Sequence, residues 1–212
     1  MKLIITAGPT REYIDPVRFI SNPSSGKMGY ALAARASRLG HDVVLISGPA
    51  QLPQPRGVAF VPVVSAEEMR KAVLASLAGA DAVIMAAAVS DFRPAQRSRQ
   101  KVKKNEASLT LRLERTADIL AQLGMRKRSY ILVGFAAETE RVVEHARAKL
   151  AAKKLDMIVA NRVGVKGSGF GSDANEATII FKDGPANKLP AMPKSRLAQI
   201  IIRNVEILAG QR

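Results

Sequence analysis

The sequence predicts a doubly wound, Rossmann-like α/β fold in which a mainly parallel sheet carries extra strands at one side. Short, uninterrupted Val/Ile-rich runs alternate along the chain with segments of helical periodicity, as in a parallel sheet covered on both faces. Small and polar residues cluster where these runs end, which is where open α/β sheets bind ligands. Because 212 residues suit one well-cored domain, we assign residues 1–212 to a single domain.

Five buried strands are predicted from the apolar runs. Residues 3–6 form the first, and D-V-V-L-I-S at residues 42–47 forms the second. D-A-V-I-M-A-A-A at residues 81–88 is the third, and residues 130–135 and 156–160 complete the set. Because these runs are apolar throughout, we place them at the centre of the sheet.

Four helices are predicted from the spacing of apolar residues. Ser65 is placed as the N-cap of the second helix, and Glu68 occupies the capping-box position three residues later. The last helix is amphipathic and closes the domain. The four segments are residues 27–39, 66–77, 141–154 and 194–208.

Two further segments predict strands added at one side of the sheet. Residues 109–113 (L-T-L-R-L) alternate apolar and polar residues, as a half-exposed strand does. Residues 177–182 and 188–190 predict a hairpin around Asp183-Gly184. We predict mobility in residues 93–104, which hold six Arg or Lys and no acid, and in residues 163–173, which hold four glycines.

The composition limits the classes of function. A net charge of +15 favours a polyanionic partner, whereas 4% aromatic residues argue against a single-strand nucleic-acid binder. A basic surface that only maintains solubility is the alternative. The absence of Cys excludes disulfides, and the wide separation of His41 and His145 disfavours a His-based zinc site. We see no membrane-spanning segment or signal peptide, so we expect a cytoplasmic protein.

Two common nucleotide-binding motifs fail in this sequence. The dinucleotide fingerprint requires G-x-G-x-x-G after the first strand and an acid after the second, but the chain has A-G-P-T-R-E and Ser47-Gly48-Pro49. A P-loop ending at Gly26-Lys27 would need a glycine where Ser21 stands and a hydroxyl where Met28 stands. NAD binding and a P-loop enzyme are therefore disfavoured.

The stretch S-N-P-S-S-G-K-M-G at residues 21–29 still predicts an anion site. Ser24, Ser25 and Gly26 precede a helix, whose first N–H groups and dipole favour negative charge. A helix merely capped by serine is the alternative. The connection that leads to this helix, residues 7–25, is longer than usual and holds polar residues, which favours a functional segment.

Six ordered motifs resemble bacterial phosphopantothenate–cysteine ligase across essentially the whole chain. They are A-G-P-T-R-E-x-I-D-P-V-R-F-I-S-N-x-S-S-G-K-M-G, A-A-A-V-S-D-F-R-P, K-V-K-K, V-G-F-A-A-E-T, A-N-R-V and F-G-S-D-A-N. The resemblance implies that 4′-phosphopantothenate reacts with CTP to give an acyl-cytidylate, and that the amine of L-cysteine then displaces CMP. It also implies Mg²⁺ or Mn²⁺, a homodimer, and neither membrane nor nucleic-acid partners. The flavin-dependent decarboxylase module often fused to this unit is absent, so no FMN is expected.

The resemblance also implies roles for individual residues. Asn22 matches a catalytic residue whose amide could hold the acyl carbonyl, and Lys101 matches a catalytic lysine on a flap that closes over the intermediate. Arg18 and Ala88 join Asn22 in substrate binding. Nucleotide binding is implied for Gly8, Ser24, Met85, Ala86, Ala87, Asp91, Lys101, Ala117, Asp118, Ile119, Leu120, Phe135, Lys149 and Lys153.

For several of these residues, a purely structural role is the alternative. Arg18 suits a salt bridge to a nearby acid, Asp91 suits an N-cap, and Lys101 suits a solvated charge run. Lys149 and Lys153 suit a solvated helix face. For the whole protein, the alternatives are the same ligase using ATP, a basic α/β nucleic-acid-binding module, and an NAD-dependent reductase.

Overall fold

The computed structural model describes residues 1–103, 109–126, 129–162 and 174–211. The strands within these residues are β1 (Lys2–Ala7), β2 (Arg11–Tyr13), β3 (Phe19–Ser21), β4 (Asp42–Ser47), β5 (Ala59–Pro62), β6 (Ala82–Met85), β7 (Phe92–Pro94), β8 (Leu113–Arg115), β9 (Ile131–Glu138), β10 (Met157–Arg162), β11 (Ala174–Phe181) and β12 (Ala186–Pro193). The helices are α1 (Lys27–Arg38), α2 (Ala66–Ser76), α3 (Ile119–Met125), α4 (Val142–Ala152) and α5 (Lys194–Gly210).

The central sheet of the described residues has eight strands in the order β12-β11-β10-β9-β6-β1-β4-β5. The six strands from β10 to β5 run parallel, whereas β11 and β12 are antiparallel additions at the β10 edge. The predicted doubly wound α/β fold with extra strands at one side is therefore confirmed. The hairpin predicted around Asp183-Gly184 is also confirmed, because β11 and β12 flank that turn.

Helices cover both faces of the sheet and create two apolar layers. Along β1, Leu3 and Ile5 face α1 and α5, while Ile4 faces α2, α3 and α4. This alternation follows from the period of two in a β-strand, and it explains why central strands are apolar at every position. Helix α1 lies very close to β1, because a Cβ atom at Gly29 would be 2.5 Å from that of Ala7.

The four predicted helices are present with small shifts at their ends. Ser65 is the N-cap of α2, and its hydroxyl accepts a hydrogen bond from the Glu68 N–H at 3.2 Å. The capping box is only half formed, since the Glu68 carboxylate accepts from the Val64 N–H at 2.7 Å. The Ser65 prediction is confirmed, and the reciprocal bond is displaced by one residue.

The strand predicted at residues 109–113 is wrong in both position and partner. The observed strand β8 begins at Leu113 and pairs antiparallel with β7 in a separate two-stranded sheet. Residues 109–112 are exposed coil, so the apolar–polar alternation there reflects no sheet face. This small sheet therefore adds nothing to the edge of the central one.

Five elements were not predicted from the sequence: β2, β3, β5, β7 and α3. β2 and β3 form a hairpin inside the long connection after β1. β5 extends the parallel sheet beside β4, and α3 is a helix of seven residues. Each is short, so its hydrophobic periodicity is too brief to stand out from a loop.

Parts of two predictions fall outside the described residues. The glycine-rich segment 163–173 lies wholly outside them, as does residue 104 of the basic segment. None of the helices in the described ranges is long and apolar enough to cross a membrane.

Candidate active site

Two adjoining cavities form one cleft beyond the carboxyl ends of β6 and β9. The α3 cavity, of about 410 Å³, lies beside the start of α3, and the α1 cavity, of about 370 Å³, lies beside the start of α1. They share five lining residues: Ala87, Val89, Asp91, Phe135 and Lys149. Because strand ends gather at this edge of a parallel sheet, residues far apart in sequence meet here.

Most of the predicted site residues line this cleft. Ten line the α3 cavity: Met85, Ala87, Asp91, Ala117, Asp118, Ile119, Leu120, Phe135, Lys149 and Lys153. Asn22, Ser24, Ala86 and Ala88 line the α1 cavity. Three predicted residues line neither cavity in the described part of the chain: Gly8, Arg18 and Lys101.

Asp118 is held at the start of α3 by two hydrogen bonds. Its carboxylate caps the helix by accepting from the Ala121 N–H at 2.9 Å, and it forms a 2.7 Å salt bridge with Lys153 Nζ. Burial acts to raise the pKa of Asp118, but the bonds from Lys153 and Ala121 outweigh it and hold the pKa below 3.8. This pair ties α3 to the carboxyl end of α4 and fixes one wall of the cavity.

Lys149 is the cation at the junction of the two cavities. Burial lowers the pKa of its ammonium group, and the charge of Lys153 lowers it further. The described residues provide no carboxylate within 4 Å of its Nζ. A half-buried cation without an adjacent counter-ion is suited to an anionic ligand.

Asp91 lies at the same junction and is exposed. It is followed by strand β7, so the alternative that it caps a helical turn is wrong. Its backbone carbonyl accepts from the Thr116 N–H at 2.9 Å, and the Thr116 hydroxyl donates to Ser90 O at 2.6 Å. These bonds join the segment after β6 to the segment before α3 and leave the Asp91 carboxylate at the cleft.

Asn22 is fixed to the segment that follows β6. Its Nδ2 donates to Ala88 O at 3.2 Å and to Val89 O at 3.4 Å. The amide nitrogen therefore has two backbone acceptors. Donation to an acyl carbonyl, as predicted, competes with these two bonds.

The start of α1 forms the wall of the α1 cavity opposite β9. The helix begins after Gly26, whose φ of 77° is left-handed, and no side chain caps it. The Ser24 hydroxyl instead accepts from the Gly26 N–H at 3.3 Å. The alternative of a serine-capped helix is therefore wrong, and the positive end of the helix dipole faces the cavity.

Gly8 has a structural reason to be glycine. Its φ is 71°, and a Cβ atom there would lie 2.7 Å from Gly48 O. The backbone of Gly48, and not a ligand, is therefore the group that excludes a side chain at position 8. Contact between Gly8 and a phosphate remains a prediction.

Arg18 and the Lys101 segment are joined through Asp15. The buried Asp15 carboxylate accepts from the N–H groups of Val17, Arg18 and Val102 and from the Arg18 guanidinium. Arg18 Nη2 also donates to Val102 O at 2.6 Å. The salt bridge that stood as the alternative for Arg18 is therefore present, and Lys101 is an exposed neighbour of the anchored Val102.

Three polar residues of the α1 cavity that lie outside the stretch 21–29 were missed by the role assignments. Asn161 and Asn175 lie within quoted motifs but received no role, and Lys194 was noted only as the start of a helix. All three line the cavity, and Lys194 is only 8% exposed. The sequence feature that could have identified them is their position in motifs that follow strands or begin a helix.

The cleft suits a metal ion that arrives with a substrate. Among the described residues, no three His, Cys, Asp or Glu side chains are grouped to hold a metal. Mg²⁺ usually keeps several waters and binds one or two carboxylates together with substrate phosphates. The residues present therefore fit an ion held chiefly by phosphates and water.

Known proteins match this chain closely in both sequence and structure. The family model described as DNA/pantothenate metabolism flavoprotein C-terminal domain matches residues 1–208. The "Coenzyme A biosynthesis bifunctional protein CoaBC" of Bacillus subtilis (strain 168) is 54% identical over 210 residues, which are 99% of this chain and 52% of that protein. The protein of the same name from Escherichia coli (strain K12) is 45% identical over 210 residues, which are 97% of this chain and 51% of that protein. The chain thus spans about half the length of these curated relatives.

Solved structures agree with the fold. A crystal structure of the C-terminal domain of CoaBC has a TM-score of 0.86 and 43% identity, covering 100% of this chain and 96% of that one. A structure of Cab2 in complex with phosphopantothenate-cysteine has a TM-score of 0.79 at 15% identity, covering 99% and 86% of the two chains. At that identity, the second match supports the fold alone.

Proposed function

The chain belongs to the DNA/pantothenate metabolism flavoprotein C-terminal domain family, and from this premise we propose that it is the ligase that joins L-cysteine to 4′-phosphopantothenate at the expense of CTP. The relatives that support the proposal are named for coenzyme A biosynthesis, and the similar solved structure is their C-terminal domain. The observation that carries it is the continuous cleft, in which a cationic cavity opens into one lined by Asn22 and the uncapped end of α1.

The α3 cavity is the proposed nucleotide pocket. Phe135 offers an aromatic wall, and Asp91 offers a carboxylate that can accept from the exocyclic amine of cytosine. Lys149 and Lys153 supply positive charge beside the pocket, although Lys153 must share its ammonium group with Asp118. Adenine also carries an exocyclic amine, so this contact alone does not separate CTP from ATP. The proposed preference for CTP comes from the family resemblance, and the product assay tests it.

The first proposed step occurs where the two cavities meet. An oxygen of the phosphopantothenate carboxylate attacks the α-phosphorus of CTP, a new O–P bond forms, and pyrophosphate leaves with the electrons of the broken P–O bond. Lys149 lies at this junction, the amino end of α1 lines the adjoining α1 cavity, and both favour the accumulated negative charge. Mg²⁺ bound to the triphosphate would neutralise more of it.

The second proposed step forms the amide. The neutral amine of L-cysteine attacks the acyl carbon, the C–O bond to the cytidylate breaks, and CMP leaves as the amine loses a proton. Asn22 lines the cavity in which this carbon would lie, and a ligand carbonyl can replace Ala88 O or Val89 O as the acceptor of its amide hydrogens. That exchange would stabilise charge on the acyl oxygen.

Lys101 is a proposed catalytic residue that lies outside the cleft and must move to reach it. It is exposed beside Val102, which is tied to Asp15, and it lines neither cavity of the described structure. Action on the intermediate therefore requires that its segment close over the cleft, which would also exclude water from a hydrolysable acyl phosphate. A homodimer, a cytoplasmic location and independence from FMN complete the proposal.

A product assay tests the proposal. The protein is mixed with 4′-phosphopantothenate, L-cysteine and Mg²⁺, CTP or ATP is supplied separately, and pyrophosphate, nucleoside monophosphate and amide are followed by mass spectrometry. We expect CMP and the amide together, with CTP only. AMP formed equally well would overturn the nucleotide assignment, and no pyrophosphate from folded protein would overturn the ligase.

The same assay tests Asn22. In Asn22→Asp, a carboxylate replaces the donor amide beside Ala88 O and Val89 O, so we expect CTP to be consumed while acyl-cytidylate accumulates and amide formation falls at least about tenfold. The exposed Asn187→Asp on β12 makes the same chemical change outside the cleft and should behave as wild type. Unchanged amide formation in Asn22→Asp would remove Asn22 from the mechanism.

A further inference from the structure

The segment that connects β6 to β7, residues 86–91, forms a wall common to both cavities. Ala87, Val89 and Asp91 each line the α3 cavity and the α1 cavity, whereas Ser90 lines neither and is only 5% exposed. The segment belongs to no strand, so it lacks the regular ladder of hydrogen bonds that holds a strand in place. Its position in the cleft must therefore come from other contacts.

Two threonines at the end of β1 hold this segment near its start and near its end. Thr6 and Thr10 are both 0% exposed. The Ala87 N–H donates to Thr6 Oγ1 at 3.1 Å, and the Ser90 N–H donates to Thr10 Oγ1 at 2.9 Å. Two side-chain hydroxyls thus supply acceptors to backbone groups that no strand partner serves, and the segment takes its position from the end of β1.

The backbone of Thr10 extends the same connection toward Asn22. Its N–H donates to Ala88 O at 3.2 Å, and Ala88 O also accepts from Asn22 Nδ2 at 3.2 Å. Its carbonyl accepts from the Ser21 hydroxyl at 2.7 Å, directly before Asn22 in the chain. Thr10 therefore joins the strand that leads to Asn22 with the segment that ends at Asp91.

Ser90 is held from two sides by threonine hydroxyls. Its N–H donates to Thr10 Oγ1, and its carbonyl accepts from the Thr116 hydroxyl at 2.6 Å. Asp91 follows directly, so these bonds fix the backbone from which the Asp91 carboxylate reaches the cleft. Loss of the Thr10 hydroxyl would leave the Ser90 N–H buried without this acceptor, and the backbone would shift toward another partner because an unpaired buried donor is costly.

We propose that Thr10 is a positioning residue of the ligase, whose hydroxyl holds the Ser90 N–H and thereby places Asp91 for contact with the base of the nucleotide. The inference rests on the proposed function and adds to it a residue that contacts no substrate. Thr10 is fully buried and lines neither cavity, so it acts through Ser90. A residue that served only the core would need no hydroxyl, since a buried polar group is costly unless it is hydrogen-bonded.

The variants Thr10→Val and Thr10→Ser test this role by pyrophosphate release at saturating 4′-phosphopantothenate and L-cysteine. Valine removes the hydroxyl with little change of shape, whereas serine keeps it. The KM for CTP should rise about fivefold or more in Thr10→Val and stay within about twofold of wild type in Thr10→Ser. Thr178→Val is the matched control, because Thr178 is buried on β11 and lines neither cavity, and it should keep the wild-type KM.

A double-mutant cycle with Asp91→Ala separates positioning from a general loss of stability. Asp91→Ala alone should raise the KM for CTP about tenfold, because a hydrogen bond to a charged group is lost. If Thr10 acts through Asp91, adding Thr10→Val should raise the KM less than about twofold further. Two independent effects would instead multiply to about fiftyfold. All rates are measured on protein shown by circular dichroism to be folded, well below the Tm of each variant.

Each contrary result has a distinct meaning. A lower Tm in Thr10→Val with an unchanged KM for CTP would reduce Thr10 to a structural role. Equal impairment of Thr10→Ser and Thr10→Val would show that the hydroxyl is not the group that matters, and a multiplicative cycle would separate Thr10 from Asp91. These three results overturn the positioning role alone. A wild type that makes neither pyrophosphate nor amide would overturn the ligase and this role together.

Discussion

Lys149 illustrates at the scale of one residue how a binding site costs stability. Burial and the neighbouring charge of Lys153 both lower the pKa of Lys149, so the folded protein holds this proton less tightly than the unfolded chain does. Stability from this group therefore rises as the pH increases from the folded pKa toward 10.5. At neutral pH the charged Lys149 therefore lowers the stability of the folded protein, and an anionic ligand bound beside it would offset this loss.

Replacement of Lys149 should separate stability from binding. We expect Lys149→Gln to raise the Tm of the ligand-free protein at pH 7.5 by roughly 2 °C, a shift typical of less than about 1 kcal/mol at this chain length. The gain should shrink as the pH approaches 10.5, and CTP should bind about tenfold more weakly. Calorimetry of the ligand-free and the CTP-bound protein checks both expectations. The exposed Lys71→Gln on α2 removes the same charge outside the cleft and serves as the control. A lower Tm with unchanged CTP affinity would contradict it.

At the scale of elements, Asp15 connects the turn between β2 and β3 to the segment that carries Lys101. Burial would raise the pKa of Asp15, but hydrogen bonds from Val17, Arg18 and Val102 and the Arg18 guanidinium outweigh it and lower the pKa well below 3.8. Because the folded pKa is depressed, the contribution is complete above pH 3.8 and is lost as the pH falls toward the folded pKa. The connection is therefore intact at neutral pH.

Removal of this carboxylate charge should release the Lys101 segment. Asp15→Asn keeps the size of the side chain but loses one acceptor oxygen and the ion pair with Arg18. We expect trypsin to cleave after Lys101 or Lys103 several-fold faster, and thermal stability to fall at pH 7 by more than at pH 2. The exposed turn variant Asp183→Asn serves as the control. Equal cleavage rates in wild type and Asp15→Asn would show that the segment is held by other contacts.

At the scale of the whole molecule, the two small sheets present apolar side chains to solvent. Phe92 and Leu113, 46% and 43% exposed, belong to the β7–β8 sheet, and Phe19, 40% exposed, belongs to the adjacent β2–β3 hairpin. Large apolar residues exposed on neighbouring elements are typical of a protein–protein interface. This surface is the one we predict to form the homodimer.

Sedimentation equilibrium tests the dimer. We expect twice the mass of the chain for the wild type and a monomer for the double variant Phe92→Asp, Leu113→Asp, because two buried charges without partners oppose association. Ile207→Asp on α5, where the side chain is 48% exposed, adds a charge elsewhere and should leave the dimer intact. A monomeric wild type, or a dimeric double variant, would place the interface elsewhere or remove it.

The net charge of +15 also belongs to this scale. Lys149 and Lys153 account for part of it at the cleft, while most of the basic residues lie elsewhere on the chain. Binding to nucleic acid would weaken steeply with added salt, as counterion release requires. The proposed small anionic substrates account only for the charges near the cleft.

The sequence by itself determined the fold class, because uninterrupted Val/Ile-rich runs and amphipathic helices differ clearly in the spacing of their apolar residues. It also placed Asp91 and Phe135 near strand ends, and a parallel sheet brings such ends together. The roles of Asn22, Asp118 and Lys149 came instead from the family resemblance. Short elements such as α3 and β5 were not predictable in this way, since a few residues carry too little periodicity.

Only the tertiary structure decided which polar atoms have partners. Arg18 suited a phosphate site in sequence, but its guanidinium pairs with Asp15 in the fold. The Asn22 amide donates to two backbone carbonyls, whereas the side-chain oxygens of Asn161 and Asn175 accept no hydrogen bond from the described part of the chain. Residue type fixes what a side chain can bind, but the partner depends on contacts between segments distant in sequence, and those arise only when the chain has folded.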